Sequence, residues 1–427
     1  MTQEEYDKLM EGGFCSFPFT NVRSQANSGY IPCCWSKRIK DADTREVKKE
    51  YLKYPNDTTP LGGWFEGDFQ THLRKVMLAG EVKNDAIASL YCSRCTDREN
   101  VQGESPRTLQ TDIGIARRIR ESFDDEGNMR KRNRIISFEL NIWGVPCNLE
   151  CYECNPEDST TRKKRVKELV EDNLFLGDEL GLKNKAKNVD IKKENKEQFY
   201  KIIKELVDNV DLIRSLSFCG GEPMLMTNHF ELLDAIIATG HAKNIDLLYV
   251  SNMTLFTVEK MKKYLDAFNW VHIQWSVNGI GAINNYLRYP TDWDTTTANV
   301  RSVKSYLESA DIGEVKATFT PTVMSVPTIK ETFEFLEAEG LKQRESNGKF
   351  MIYNRVENPK MLRVRNIPDE VKNRIADDVL SVSEAVYNDM MLPTENRGWD
   401  KAKMYLDALD KSRGTNWREV FPELAKY

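Results

Sequence analysis

The sequence has no apolar run long enough to cross a membrane. Its first residues, Met1 to Met10, are polar and lack the apolar centre of a secretory signal. A cytoplasmic protein with no membrane partner is therefore expected. The chain also lacks a basic excess: 61 lysines and arginines against 66 aspartates and glutamates leave a net charge of −5. That balance argues against a nucleic-acid partner. The basic runs Arg117-Arg118-Ile119-Arg120 and Arg130-Lys131-Arg132-Asn133-Arg134 are interrupted by Asp124-Asp125-Glu126 and read as solvated helix faces. Histidine is scarce. His72, His229, His241 and His272 are scattered, so no general acid or base is legible. No cysteine follows Cys219.

Before that point cysteine is plentiful and clustered, at 15, 33 and 34, at 92 and 95, at 147, 151 and 154, and at 219. In a chain without a secretory signal, such grouping points to metal or redox chemistry more than to disulfides. The densest group is Cys147-Asn148-Leu149-Glu150-Cys151-Tyr152-Glu153-Cys154, just past a strand-like run at 135–142. Three thiolates on one loop can wrap one face of an iron–sulfur cube and leave its fourth iron open to a small ligand. Structural zinc normally takes four protein ligands, so a lone triplet suits it less well. Downstream, a second strand-like run ends in Phe218-Cys219-Gly220-Gly221-Glu222-Pro223. Without side chains, Gly220 and Gly221 let backbone polar groups approach a ligand closely. Cys219 is expected as a buried, inert thiol.

Strand-like runs at 135–142, 215–219, 245–250, 271–277, 314–323 and 350–356 alternate with amphipathic helical runs near 196–209, 229–239, 257–268, 296–309 and 328–339. This is the pattern of an α/β protein built on a parallel sheet. In such folds chemistry gathers at the carboxyl ends of the strands, where both the cysteine loop and the Gly-Gly-Glu-Pro turn fall.

Taken together in this order, the triplet and Gly220-Gly221-Glu222-Pro223 resemble the radical S-adenosylmethionine (SAM) superfamily over roughly 133–357. The resemblance implies a partial (β/α)6 barrel. It implies a [4Fe-4S] cluster on Cys147, Cys151 and Cys154, with SAM chelating the open iron. Gly220 and Gly221 would hold the SAM amino group, and Glu222 would help order it. Gln274-Trp275-Ser276-Val277-Asn278-Gly279 resembles the family's Ser-x-Asp-Gly, which places Ser276 near the carboxylate or ribose and Asn278 where an acid is usual. Arg288 stands where related enzymes carry an arginine for the carboxylate. Ser251 and Asn252 are weaker cofactor candidates. Glu153 replaces the customary aromatic residue beside the third cysteine, and Tyr152 is the candidate substitute near adenine.

The amino-terminal region, 10–104, carries a second resemblance. Cys15-Ser16-Phe17-Pro18-Phe19, Gly29 before Pro32-Cys33-Cys34-Trp35, Leu73-Arg74 and Cys92-Ser93-Arg94-Cys95 are similar to SPASM and twitch domains. These imply one auxiliary [4Fe-4S] cluster on Cys15, Cys33, Cys92 and Cys95. Cys33 and Cys34 are adjacent, so a single one is expected to ligate, and Cys33 is the choice. From the residues alone, Cys15–Phe19 reads as a strand that returns through Asn27-Ser28-Gly29 as a hairpin. The same four sulfurs also suit a zinc ribbon. In familiar members this module follows the barrel; here it precedes it.

A linker helix is expected over 105–132, a charged insertion over about 156–195, read as a mobile cover, and a helical tail over 358–427 without chemistry of its own. The resemblance implies reductive cleavage of SAM to a 5′-deoxyadenosyl radical and hydrogen abstraction from a peptide or small-molecule substrate. It also implies an electron donor such as flavodoxin or ferredoxin. The other class kept in view is a non-catalytic scaffold holding zinc or inert clusters, which would have no need of a SAM pocket.

Overall fold

In the computed structural model, residues 1–25, 29–33, 36, 59–102, 105–140, 145–156, 158–182, 196–342, 356 and 358–427 are described. Seven strands form one sheet: β1 (Asn21–Gln25), β2 (Gly29–Ile31), β3 (Ile136–Leu140), β4 (Ile213–Phe218), β5 (Asp246–Ser251), β6 (Val271–Val277) and β7 (Gly313–Phe319). The order is β2-β1-β3-β4-β5-β6-β7. Every neighbouring pair is parallel except the β1–β2 hairpin. Helices Lys196–Asp208, Thr227–Ala238, Val258–Leu265, Trp293–Ala310 and Ile329–Ala338 lie between or after the core strands. The α/β expectation holds, and five expected core strands are present. The sixth, 350–356, lies outside the described residues apart from Val356.

Strand alternation sets the two faces of the sheet. Phe138, Leu216, Tyr249, Ile273, Trp275 and Val315 are buried on one face. Ser137, Glu139, Ser217, Gln274 and Ser276 are half-buried on the other. The second face is therefore polar and open.

Two expectations change at the amino terminus. Cys15–Phe19 does not open a strand: Phe17–Thr20 makes a helical turn with Pro18 in its first positions, and the strand starts at Asn21. Proline's fixed φ and missing N–H suit the start of a helix better than a central strand. The hairpin also extends the core sheet, with Asn21, Val22 and Arg23 of β1 in parallel register with Ser137, Phe138 and Glu139 of β3. Phe14, Phe19, Phe65 and Leu73 share one hydrophobic cluster with Phe138, Leu216 and Trp275.

A second cluster joins Tyr152 of the cysteine loop, Val166 and Leu169 of helix Thr160–Asp172, Phe319 of β7, and tail residues including Val379, Leu406 and Trp417. The start of the charged insertion is thus packed, while 183–195 lie outside the described residues. The tail is helical at Asp369–Val382, Glu384–Met390, Gly398–Arg413 and Trp417–Val420.

Candidate functional site

Strands β3 to β7 run parallel, so the segments following them meet along one edge. Pro146–Cys154 comes after β3, Gly220–Glu222 after β4, Asn252 after β5 and Asn278 after β6. Gly221 has φ +60°, and a Cβ there would lie 2.3 Å from the Pro146 carbonyl oxygen. Only glycine permits that approach. The Glu222 amide donates to the Pro146 carbonyl at 2.7 Å, and the Gly221 amide to Asp158 O at 3.2 Å. The glycine turn is thereby fastened to the cysteine loop.

Glu222 is fully buried, and its carboxylate accepts from Ser251 Oγ at 2.9 Å, the Asn252 amide at 2.8 Å and the Met224 amide at 3.2 Å. Burial raises its carboxyl above the ordinary range, against the pull of these donors. Asn252 Nδ2 donates to Asn148 Oδ1 at 2.9 Å, which ties β5 to the cysteine loop. Ser251 and Asn252 therefore order Glu222 and Asn148. Their side-chain and amide donors are committed to that framework.

Arg288 Nη1 donates to Asn278 Oδ1 at 3.0 Å and stands 3.5 Å from Glu153 Oε1. Burial works against the guanidinium charge, but Cys151, Glu153, Cys147 and Cys154 outweigh it and hold Arg288 above its ordinary pKa. Burial likewise raises the Glu153 carboxyl, and Arg288 opposes the rise. Two buried polar atoms here, Glu153 Oε2 and Asn278 Nδ2, make no well-formed hydrogen bond among the described residues, although the Asn278 side chain stands close enough to help hold the Glu153 carboxyl down. Leaving such atoms unpaired costs about 1–3 kcal/mol each. One is an acceptor and one a donor, the pair that a ligand with amine, hydroxyl or carboxylate groups would satisfy.

The three thiols act on one another, and burial pushes Cys151 up to about 12 and raises Cys147 and Cys154. Among the described residues no three His, Cys, Asp or Glu side chains close on a single ion. A zinc ion gathers its donors about 2.0–2.3 Å from one centre. A cube takes each cysteine on a different iron and spreads them wider. The loop, the glycine turn, Arg288 and the two unsatisfied atoms fit a cluster with a small polar ligand beside it.

Two expected roles change. The Tyr152 ring is fully buried in the tail-side cluster, and its hydroxyl meets Thr322 Oγ1, so it is a core residue and does not join Glu153 and Arg288. An aromatic ring with one hydroxyl partner is well accommodated there. Cys219 is not an inert core thiol: it is half-buried and donates to Glu139 Oε1 at 2.8 Å, and Glu139 pairs with Arg23 at 3.0 Å. Strand alternation puts Cys219 on the polar face. Ser276 is half-buried on that same face, two residues before Asn278.

At the amino terminus Cys15 is buried, and Cys33, Cys92 and Cys95 are half-buried. Burial raises Cys15 most, and the charges of Cys33, Cys92 and Cys95 add to the shift, although among the described residues no three of these thiols close on a single ion. Burial likewise pushes Cys92 up to about 12. Burial raises Cys95 too, and the nearby Ser105 side chain and Arg107 main chain oppose the rise. Arg107 joins Glu99 Oε1 at 3.0 Å to the carbonyls of Met10 at 3.0 Å and Phe14 at 2.9 Å. Cys92, Cys95, Glu99 and Arg107 line a cleft of about 220 Å³. Cys34 and Trp35 lie outside the described residues, as do Asn27 and Ser28 of the expected turn.

The sequence reading missed Glu153 as a partner of Arg288 and gave no role to Asn148. The acid in an aromatic position was its one visible sign. Arg162, Tyr405 and Arg413, which also touch the cysteine loop, carry no motif.

Fold and site together define an α/β protein with three thiols and a set of polar side chains gathered at the carboxyl edge of its sheet. No family model matches the chain, and no curated protein matches it. Among solved structures, native anSMEcpe with bound AdoMet is 16% identical with a TM-score of 0.34, over 57% of this chain and 61% of that one. A polyhistidine-tagged form of anSMEcpe with bound AdoMet reaches a TM-score of 0.38 at 16% identity, over 57% of each chain. Streptococcus suis SuiB bound to S-adenosylmethionine is 13% identical with a TM-score of 0.33, over 73% of this chain and 63% of that one. The chain thus spans 57 to 63% of the length of these three structures. Likeness at this level carries no argument about function, which rests on the site itself.

Proposed function

We propose that the protein is a radical SAM enzyme. Cys147, Cys151 and Cys154 would hold a [4Fe-4S] cluster, and Cys15, Cys33, Cys92 and Cys95 an auxiliary one. When bound, the first cluster and SAM would supply a carbon radical that takes a hydrogen atom from substrate. The observation that carries the reading is the unsatisfied pair, Glu153 Oε2 and Asn278 Nδ2, buried beside Arg288 and the thiol triplet.

The chain's own residues bind and orient. Gly221 lets the turn close on the cysteine loop. Glu222, anchored by three donors, fixes that turn. Arg288 offers a planar cation suited to a carboxylate. Glu153 offers an acceptor and Asn278 a donor. The open sheet face presents Glu139, Cys219, Gln274, Ser276 and Lys316, a polar lining suited to a peptide or other polar substrate. A small one-electron carrier such as flavodoxin or ferredoxin would supply the electron.

The test is anaerobic reconstitution with iron and sulfide. Iron and sulfide content and the absorption spectrum come first, then 5′-deoxyadenosine formed from SAM with dithionite. Reductant-dependent 5′-deoxyadenosine supports the reading. Binding of zinc alone, with SAM left intact, overturns it.

A further inference from the structure

The tail carries no cysteine and no motif, yet it reaches the cysteine loop. Tyr405, on helix Gly398–Arg413, donates from its hydroxyl to the Tyr152 carbonyl at 2.8 Å. Arg413, at the end of that helix, donates from Nη2 to the Glu150 carbonyl, and its Nε lies 3.5 Å from the Glu150 carboxylate. Arg162, from the insertion helix, donates from Nη2 to the Tyr152 carbonyl at 3.2 Å and from Nε to the Cys154 carbonyl at 3.3 Å. The loop's other edge is held too: the Glu150 amide donates to Tyr289 O at 2.6 Å and the Tyr152 amide to Leu287 O at 3.1 Å.

Three carbonyls between and beside the cysteines are thus capped by two guanidinium groups and a hydroxyl. The charges are costly. The Arg162 and Arg413 side chains are 0% exposed. A buried cation costs several kcal/mol unless an anion answers it. Glu150 faces Arg413 but is also shared with Arg165 at 2.8 Å. Arg162 has no carboxylate within ion-pair distance among the described residues, and its Nη1 has no hydrogen-bond partner among them. A fold needing only packing would place an apolar chain here. Burial lowers the Arg162 pKa to about 10, although Cys154, Glu153 and Glu150 favour its charge. Its guanidinium lies over the Tyr405 ring, 5.3 Å from the centroid. Further negative charge on the loop would offset the cost of burial.

We propose that Arg162, Tyr405 and Arg413 are positioning residues of the cysteine loop, and that their charge and hydrogen bonds raise the reduction potential of a cluster held on it. This rests on the function proposed above. Reduction by one electron from dithionite would make a cluster held here one charge more negative, so Arg162, Arg413 and the Tyr405 hydroxyl would favour its reduced form.

The test is a redox titration of the reconstituted full chain, following by EPR the cluster whose signal changes when SAM is added. Arg162→Met, similar in length but uncharged, should move the midpoint to more negative potential. Arg162→Lys should restore most of it. Tyr405→Phe should move it the same way by less. Arg162→Met protein that folds and keeps the wild-type midpoint overturns the proposal, since a merely structural residue predicts that result. Where Arg162→Met yields no soluble protein, Tyr405→Phe decides: a negative shift supports the proposal and an unchanged midpoint overturns it. Wild-type protein with no SAM-responsive cluster overturns the underlying function before any variant is read.

Discussion

The protein has two groups of thiols, and they differ in what surrounds them. Beside Cys147, Cys151 and Cys154 stand buried Asn278 and half-buried Glu153 and Arg288, and Glu153 and Asn278 have hydrogen-bonding capacity left over. Beside Cys15, Cys33, Cys92 and Cys95 stand Glu99, Ser105 and Arg107, whose hydrogen bonds go to one another and to main-chain carbonyls. Under the function proposed above, the first set is where something further binds, and the second, whose described surround is occupied with itself, is a centre that needs no added ligand. Sulfur count says less about the two roles than the polar atoms left over.

The largest expected effect is the asymmetry between the two sets. Replacing Cys151 by alanine should abolish 5′-deoxyadenosine formation, a loss of at least about 10³-fold. Replacing Cys92 and Cys95 together should lower bound iron by about half and keep cleavage of SAM within about tenfold of wild type. Assay of iron content and of 5′-deoxyadenosine separates the cases. Equal loss from both variants would remove the distinction between the two centres.

A crowded glycine lies near each region and sharpens the contrast. Gly221→Ala forces a Cβ to 2.3 Å from Pro146 O at φ +60°. Gly127→Ala forces one to 2.5 Å from Thr71 O at φ +83°. Strain of this kind costs about 1–3 kcal/mol before the clash is relieved. Chemical denaturation should show both variants destabilised by about 3 kcal/mol or more. Calorimetric titration should show SAM binding lost only in Gly221→Ala. A smaller effect is expected from Arg107→Met, which strands half-buried Glu99 and two carbonyls. A loss of about 2 kcal/mol and looser auxiliary iron are expected, with SAM affinity unchanged.

Much of the rim was legible because its information is local. The spacing of Cys147, Cys151 and Cys154 and the Gly220-Gly221-Glu222 turn are written in adjacent residues, and the β/α rhythm shows which end of the sheet they share. Arg288 and Asn278 could be placed because each follows a recognisable strand end. What stayed hidden depends on distant partners. Glu222 is held by Ser251 and Asn252, which from sequence are only weaker cofactor candidates. Tyr152 turns toward Thr322, and its carbonyl toward Tyr405, contacts no local pattern encodes. The β1–β3 pairing was hidden for the same reason, since a strand's period gives its faces but not its neighbour.

That pairing raises the remaining question of whether the two regions unfold separately or as one. His229 provides the probe. It lies in helix Thr227–Ala238 after the glycine turn, fully buried against Phe230, Phe218 and Tyr249. Nδ1 donates to the Met226 carbonyl at 2.6 Å, and Nε2 has no partner among the described residues. Burial lowers its pKa from 6.5 to about 4, against the pull of that hydrogen bond. The folded protein therefore keeps His229 neutral while the unfolded chain takes up a proton near pH 6.5. The stability this supplies is complete above that pH and is lost as pH falls toward 4. Between pH 7 and pH 5 the loss should be about 2 kcal/mol, and His229→Gln should remove most of this slope. Because Phe14 and Phe65 share a hydrophobic cluster with Phe218 and Tyr249, the destabilisation should reach both regions together. Urea unfolding at the two pH values, read by thiol labelling mapped to Cys15 and to Cys151, distinguishes the alternatives. Midpoints that move together make the amino-terminal segment part of the core's cooperative unit. A Cys15 midpoint that ignores pH while Cys151 shifts would make it a separately folding module laid against the sheet edge.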